Sequence, residues 1–134
     1  MMVELTRVYH FSAGHRLANP ALGPEANAAL YGDCHRPHGH NYYLEVTVAG
    51  RPDPVTGMSV DLGRLDDAVR ARVLAQVDHH TLEGVPALAG VITTGEGLAR
   101  AFWRLLAPAV PGTLRRVTVV ETAKNRFQYE GGEG

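Results

Sequence analysis

From Val3 to Ala13 the chain is rich in β-branched and aromatic residues. Leu5, Tyr9, Phe11 and Ala13 share one side, which predicts a strand. Asn41 to Ala49 alternates more strictly, with Tyr42, Leu44, Val46 and Val48 set against Tyr43, Glu45 and Thr47, the pattern of a half-buried strand. Leu114 to Glu121 repeats the pattern with Val117, Val119 and Glu121 on one side, and Phe127 to Tyr129 reads as a last short strand. Between these, Gly50-Arg-Pro-Asp-Pro and Thr56-Gly57 mark a turn before a short strand from Met58 to Asp61. The period changes from Leu62 to Val77, where Leu62, Leu65, Val69, Val73 and Val77 fall on one helical face. A second helix is expected from Thr93, capped through Glu96 three residues on, to about Leu106 before Pro108. Asn19 to Asp33 reads as a loop with one helical turn around Ala26 to Leu30, and Gly131 to Gly134 as a frayed tail.

The order strand, strand, strand, helix, helix, strand, strand describes an α+β domain. Its expected core is an antiparallel four-stranded sheet with two helices packed on one face. Such a sheet leaves its other face and its edges uncovered, and closure of several copies into a barrel or ring would cover them.

At 134 residues the chain forms a single domain over residues 1–134. Thirteen basic and fourteen acidic residues give a formal charge of -1, which speaks against a nucleic-acid groove or an anionic membrane as the main partner. No apolar run approaches the roughly 18 residues of a membrane-spanning helix, and the N-terminus lacks a signal-peptide pattern. One cysteine, Cys34, excludes an internal disulfide and suits a reducing compartment. A soluble cytoplasmic protein is expected. The unusual number is seven histidines, five of them between His10 and His40.

His38-Gly39-His40 is the most chemical segment. On an extended backbone, residues i and i+2 project to one face, so the two imidazoles converge, and Gly39 admits close approach of another group. His15 ends the first strand, and strand pairing would bring it alongside. Three neutral imidazoles with an open position describe a catalytic zinc site; unrelated surface histidines are the alternative. Cys34, in the polar stretch Gly-Asp-Cys-His-Arg, is open to three readings: an inert cysteine, a thiolate favoured by Arg36 or a metal, or a fourth zinc ligand. Asp78-His79-His80 places a carboxylate beside imidazole, a pairing used in acid–base chemistry and equally found in solvated loops. Glu121 shares the inward side of Val117 and Val119 and needs a partner. That partner is a cationic or multi-donor ligand edge, or a structural arginine such as Arg7 or Arg116.

Taken in order, these segments resemble the 6-pyruvoyl-tetrahydropterin synthase / 6-carboxytetrahydropterin synthase family. The matching segments are Phe11-Ser-Ala-Gly-His15, Cys34-His-Arg-Pro-His38-Gly-His40-Asn-Tyr, Gly57-Met-Ser-Val-Asp61, Asp78-His79-His80-Thr-Leu82, Thr94-Gly-Glu96, and Val120-Glu121-Thr122 with Tyr129. The resemblance implies the tunnelling fold, in which three subunits close their sheets into a β-barrel and two trimers stack. It makes His15, His38 and His40 ligands of Zn2+, and Cys34 the proton-abstracting thiolate. Asp78 and His79 would complete the acid–base set from a neighbouring subunit. Glu121, helped by Thr94, would hold the amino-pyrimidine edge of a pterin. Departures are Gly14 where alanine is common, Leu62 where phenylalanine is usual, and Thr93 where proline often stands.

The implied activity is that of a zinc-dependent lyase releasing triphosphate from 7,8-dihydroneopterin triphosphate, a small-molecule pterin, in a homo-oligomer. The three residues between Cys34 and His38, and the Asp78-His79-His80-Thr-Leu segment, look closer to the bacterial branch. That branch makes 6-carboxy-5,6,7,8-tetrahydropterin for the queuosine pathway. The alternatives are a 6-pyruvoyl-tetrahydropterin synthase of biopterin biosynthesis, or a non-catalytic protein with a structural zinc.

Overall fold

The computed structural model describes residues 1–132. Of the expected tail, Glu133 and Gly134 lie outside the described residues. Strand β1 (Val3–His15) leads through a loop to helix α1 (Pro24–Tyr31) and a 3-10 turn (Gly32–His35), then strand β2 (His38–Gly50). Helix α2 (Leu62–Val69) runs on through a π-helical stretch (Arg70–Leu74) into a last turn α3 (Ala75–Val77), followed by the short strand β3 (His80–Thr81). Helix α4 (Gly95–Leu106) and strands β4 (Thr113–Thr122) and β5 (Asn125–Tyr129) complete the chain.

The sheet has five strands in the order β3-β1-β2-β4-β5 rather than four, and it is mixed rather than wholly antiparallel. β1–β2, β2–β4 and β4–β5 pair antiparallel, while β3 joins β1 in parallel through Ala13↔His80 and Gly14↔Thr81. A two-residue strand carries no periodicity, so Asp78-His79-His80 reads from sequence as a loop. Met58 to Asp61 is not a strand: it joins no ladder, although Val60 enters the core. There the chain passes so close that a side chain on Gly50 would collide with the Ser59 carbonyl.

The core lies between one face of the sheet and the helices. Phe11, Tyr42, Leu44, Val46, Val48, Val117 and Val119 point inward against Leu65, Val69, Val73, Leu98, Phe102 and Leu106, all fully buried. Leu114 and Val117 differ in parity yet both are buried, because a bulge opposite Thr47 and Val48 resets β4 by one residue. The repeat Leu65, Val69, Val73, Val77 has a spacing of four. On an ideal helix each such step drifts about 40° off the stripe, and the wider π-helical stretch takes up that drift, keeping all four residues buried. The opposite face of the sheet carries exposed Val8 and Tyr43, the latter packed edge-on by His10. Among the described residues, no helix is long and apolar enough to cross a membrane.

The expected loop from Asn19 to Asp33 folds more than one helical turn. Asn27, buried in α1, bonds back to the Asn19 amide and carbonyl and to the Leu22 carbonyl, tying the preceding loop to the helix. This hairpin-like excursion delivers Cys34 next to the end of β1, where the Cys34 carbonyl accepts a hydrogen bond from the Leu17 amide at 2.8 Å.

Candidate metal centre and the cavity beside it

The β1–β2 register sets His15 opposite His38 and Ala13 opposite His40. Directly paired residues of an antiparallel ladder share a face, so all three imidazoles project to the inner side. Ring centroids lie 4.5 Å (His15–His38), 5.1 Å (His15–His40) and 5.0 Å (His38–His40) apart. One nitrogen from each lies within 4.8 Å of the others, close enough to share one metal ion. Gly14 and Gly39 face each other on the reverse side, where a side chain on Gly39 would come within 3.3 Å of the Ala13 carbonyl.

Hydrogen bonding orients two of the rings. The His15 Nδ1 lies 3.0 Å from the Thr93 carbonyl and the His38 Nδ1 lies 2.7 Å from the Arg36 carbonyl. A carbonyl only accepts, so each Nδ1 carries the proton and each Nε2 keeps its lone pair, that of His15 lying 3.4 Å from the Tyr42 hydroxyl. Burial, reinforced by the His38 charge, holds His15 below the usual histidine range. Burial and His38 lower His40 likewise, against the opposing pull of Glu121. Neutral imidazoles with Nε2 free are the form that binds a divalent ion. The donor set therefore fits a metal.

Cys34, Glu121, Asp33 and Leu17 line one cavity together with His15, His38 and His40. Cys34 is exposed, and the histidine cluster closes without it. Glu121 continues the inward side of β4 as its parity predicts, half-buried at the end of the strand. Neither arginine foreseen as its partner reaches it: Arg7 grips Asp66 and Arg116 pairs with Glu130. Among the described residues its carboxylate makes no hydrogen bond or ion pair.

Asp78 and His79 stand elsewhere. The Asp78 Oδ1 accepts from the Ser12 amide at 2.9 Å and lies 3.0 Å from the His79 Nδ1, while the His79 amide donates to the Ser12 carbonyl. The Ser12 amide, followed by His79, pulls the Asp78 carboxyl below the usual carboxylate range. His79 sits at φ 62, a left-handed conformation that a non-glycine residue adopts at a cost, and its ring is exposed. With His80 it lines a shallow depression over Ser12, Gly14, Gly39 and Asn41 that also reaches Ala13 and the metal-facing His40. Within one chain this pair is not assembled with Cys34. Thr94 lies apart too: it is the N-cap of α4, its Oγ1 accepting from the Gly97 amide at 3.1 Å, and it lines a groove with Tyr31 and Ile92.

The helix cap is thus Thr94 rather than Thr93, and Glu96 closes no capping box: it lies in the first turn, exposed. Thr93 is instead buried against His15. Thr93 and Glu83 are the site residues that sequence reasoning passes over. The only local signal was a second threonine beside the cap.

Comparison with known proteins gives a consistent result. The profile of the family described as 6-pyruvoyl tetrahydropterin synthase matches residues 4–132. The 6-pyruvoyl tetrahydrobiopterin synthase of Poecilia reticulata is 43% identical over 131 residues, covering 95% of this chain and 89% of that protein. The Homo sapiens protein of the same name is 39% identical over 132 residues, covering 96% and 91%. A 6-carboxy-5,6,7,8-tetrahydropterin synthase of Rickettsia bellii is 35% identical over 78 residues, 58% of this chain and 49% of that protein. The Caenorhabditis elegans 6-pyruvoyl tetrahydropterin synthase structure superposes with a TM-score of 0.91 at 35% identity, covering 98% of this chain and 97% of the other. Sequence and backbone agree over nearly the full length, and the chain belongs to the 6-pyruvoyl tetrahydropterin synthase family.

Proposed function

We propose that the protein is a zinc-dependent lyase that converts 7,8-dihydroneopterin triphosphate to 6-pyruvoyl-tetrahydropterin with loss of triphosphate. The observation that carries this reading is one cavity holding three convergent imidazoles, a thiol and an inward carboxylate that makes no hydrogen bond or ion pair among the described residues. The short spacing from Cys34 to His38 favours the 6-carboxy product. That preference gives way to the relatives that span the chain, which bear the 6-pyruvoyl name, whereas the 6-carboxy relative aligns over little more than half of it.

His15, His38 and His40 would hold zinc, which when bound supplies Lewis-acid polarisation of the substrate's side-chain oxygens. Glu121 offers two carboxylate oxygens to the N–H groups of the amino-pyrimidine edge, which accounts for an inward carboxylate that bonds to none of the described residues. Cys34 as thiolate takes a proton from a side-chain carbon, and the Asp78–His79 pair returns protons at the neighbouring positions. Triphosphate leaves from the terminal carbon, and the outer hydroxyl-bearing carbon becomes a ketone. The inner one gives up its C–H and O–H hydrogens and becomes the second ketone. Two hydrogens add across the C6=N5 bond of the ring, and the terminal carbon ends as a methyl group. Atoms and electrons balance without a redox cofactor.

Asp78 and His79 line a different depression from Cys34, and in the proposed enzyme a second copy supplies them. The uncovered sheet face bearing Val8 and Tyr43 supports association of copies, as a trimer or a dimer of trimers. Incubating the purified protein with 7,8-dihydroneopterin triphosphate and identifying products by mass spectrometry tests the reading. We expect 6-pyruvoyl-tetrahydropterin and triphosphate. Acetaldehyde with 6-carboxytetrahydropterin would restore the queuosine-pathway reading, and no turnover by the zinc-loaded protein would refute both.

A further inference from the structure

Beside His15, on an exposed turn, stands a carboxylate, Glu83, that the proposed reaction does not use. Thr93 is only 2% exposed, and its hydroxyl donates to the Glu83 Oε2 at 2.7 Å. The same hydroxyl lies 3.2 Å from the His15 Nδ1, and the Thr93 carbonyl lies 3.0 Å from that nitrogen. The other oxygen of Glu83 accepts the backbone amide of Arg16, the residue after His15, at 2.9 Å. Glu83 sits in a 3-10 turn (Leu82–Gly84) placed by the parallel pairing of β3 with β1 and by fully buried Leu82. Both oxygens of one carboxylate are therefore spent on the surroundings of one imidazole.

The structure assigns Glu83 and the Thr93 side chain as a positioning pair that holds the Thr93 carbonyl against the His15 Nδ1 and so fixes the direction of His15 as a metal ligand. This inference rests on the metal-binding reading proposed above. Its logic is that of a ligand histidine whose second nitrogen donates to a carboxylate, here with a threonine hydroxyl inserted between them. The Glu83 oxygens hold the Thr93 hydroxyl on one side of the imidazole and the Arg16 amide on the other, which ties the His15 backbone and ring to the same anchor. His38 is oriented by a local carbonyl two residues back and has no such support. His15, the most deeply buried of the three, is the ligand whose orientation is set from outside its own strand pair.

The test measures zinc affinity of the metal-free protein by competition with a chromophoric chelator, alongside thermal melting without metal. Glu83→Ala and Thr93→Val are expected to weaken zinc binding by about 10–100-fold, the usual effect of losing an outer partner of a ligand histidine. Thr93→Ser keeps the hydroxyl and should stay within a few-fold of the parent. Cobalt substituted for zinc should show an altered visible spectrum in Glu83→Ala and a parent-like one in Thr93→Ser. His38→Ala serves as the control for the site itself. If it loses zinc while Glu83→Ala and Thr93→Val bind like the parent, the metal site stands and the pair is refuted. If melting falls in both variants but zinc affinity does not, the pair is a loop anchor only and the inference is overturned. If His38→Ala binds zinc as the parent does, the metal reading fails and takes this inference with it.

Discussion

His15 and His38 face each other across the β1–β2 ladder with ring centroids 4.5 Å apart, although one ends a strand and the other begins the next. Their convergence follows from strand register alone, and the HxH spacing adds His40 to the same face.

Replacing His38 with alanine should strip the proposed metal while leaving the fold intact, because the ring is only half-buried. The loss of affinity should exceed the roughly 10–100-fold expected for an outer-shell change, since a ligand itself has gone. Zinc stoichiometry after dialysis, with circular dichroism on the same sample, checks both halves of this expectation.

Cys34→Ala should keep zinc and lose turnover by about 10²–10⁴-fold, as removal of a general base does. Cys34→Ser should be nearly as poor, because a hydroxyl is far harder to ionise than a thiol. Metal content and kcat measured on one preparation separate the thiolate role from a fourth-ligand role, in which zinc and melting temperature would fall together.

If the complete site joins Cys34 of one copy to His79 of another, Cys34→Ala and His79→Ala proteins should each be inactive alone. Mixed after partial denaturation and refolded together, they should regain activity. Recovery absent from well-folded mixed assemblies would place all acid–base groups within one chain.

Acid should unfold the protein partly through Asp66. Its carboxylate receives the Arg7 guanidinium at 2.9 Å and 3.1 Å and the Tyr9 hydroxyl at 2.7 Å. These bonds hold it below the ordinary value, with Arg7 the first cause. A depressed folded pKa contributes stability above the unfolded value of about 3.9 and loses it as pH falls through the folded one. The stability of Asp66→Asn should therefore depend less steeply on pH below about 4, as urea midpoints across that range would show.

Phe102 is fully buried and meets Phe11 edge to face at 5.8 Å. Phe102→Ala should cost about 3–5 kcal/mol, because the sheet and α4 cannot collapse into the space it leaves. Equilibrium unfolding of the metal-free protein in urea measures this, and a cost under about 1 kcal/mol would mean that the core relaxes far more than its packing implies.

The alternating stretches determined by themselves the core faces of β1 and β2 and the inward side of Val117 and Val119, and with them the direction of His38, His40 and Glu121. The burial of Leu114 on the other parity came instead from the bulge in β4. Period-two geometry is local, so a side chain's face is already decided by its neighbours in sequence. The helical stripe ending at Val77 was legible for the same reason, whereas the π-helical stretch within it answers to the tertiary packing that buries Val73. Tertiary structure alone decided the parallel strand β3 and the cap at Thr94. It also decided the grip of Thr93 on His15, two residues 78 positions apart. A threonine beside a helix start has two equivalent local futures, cap or core contact. Only the approach of β1 and Glu83 selects between them, because the hydrogen bonds that make the difference cross the fold and leave no periodic mark on the chain.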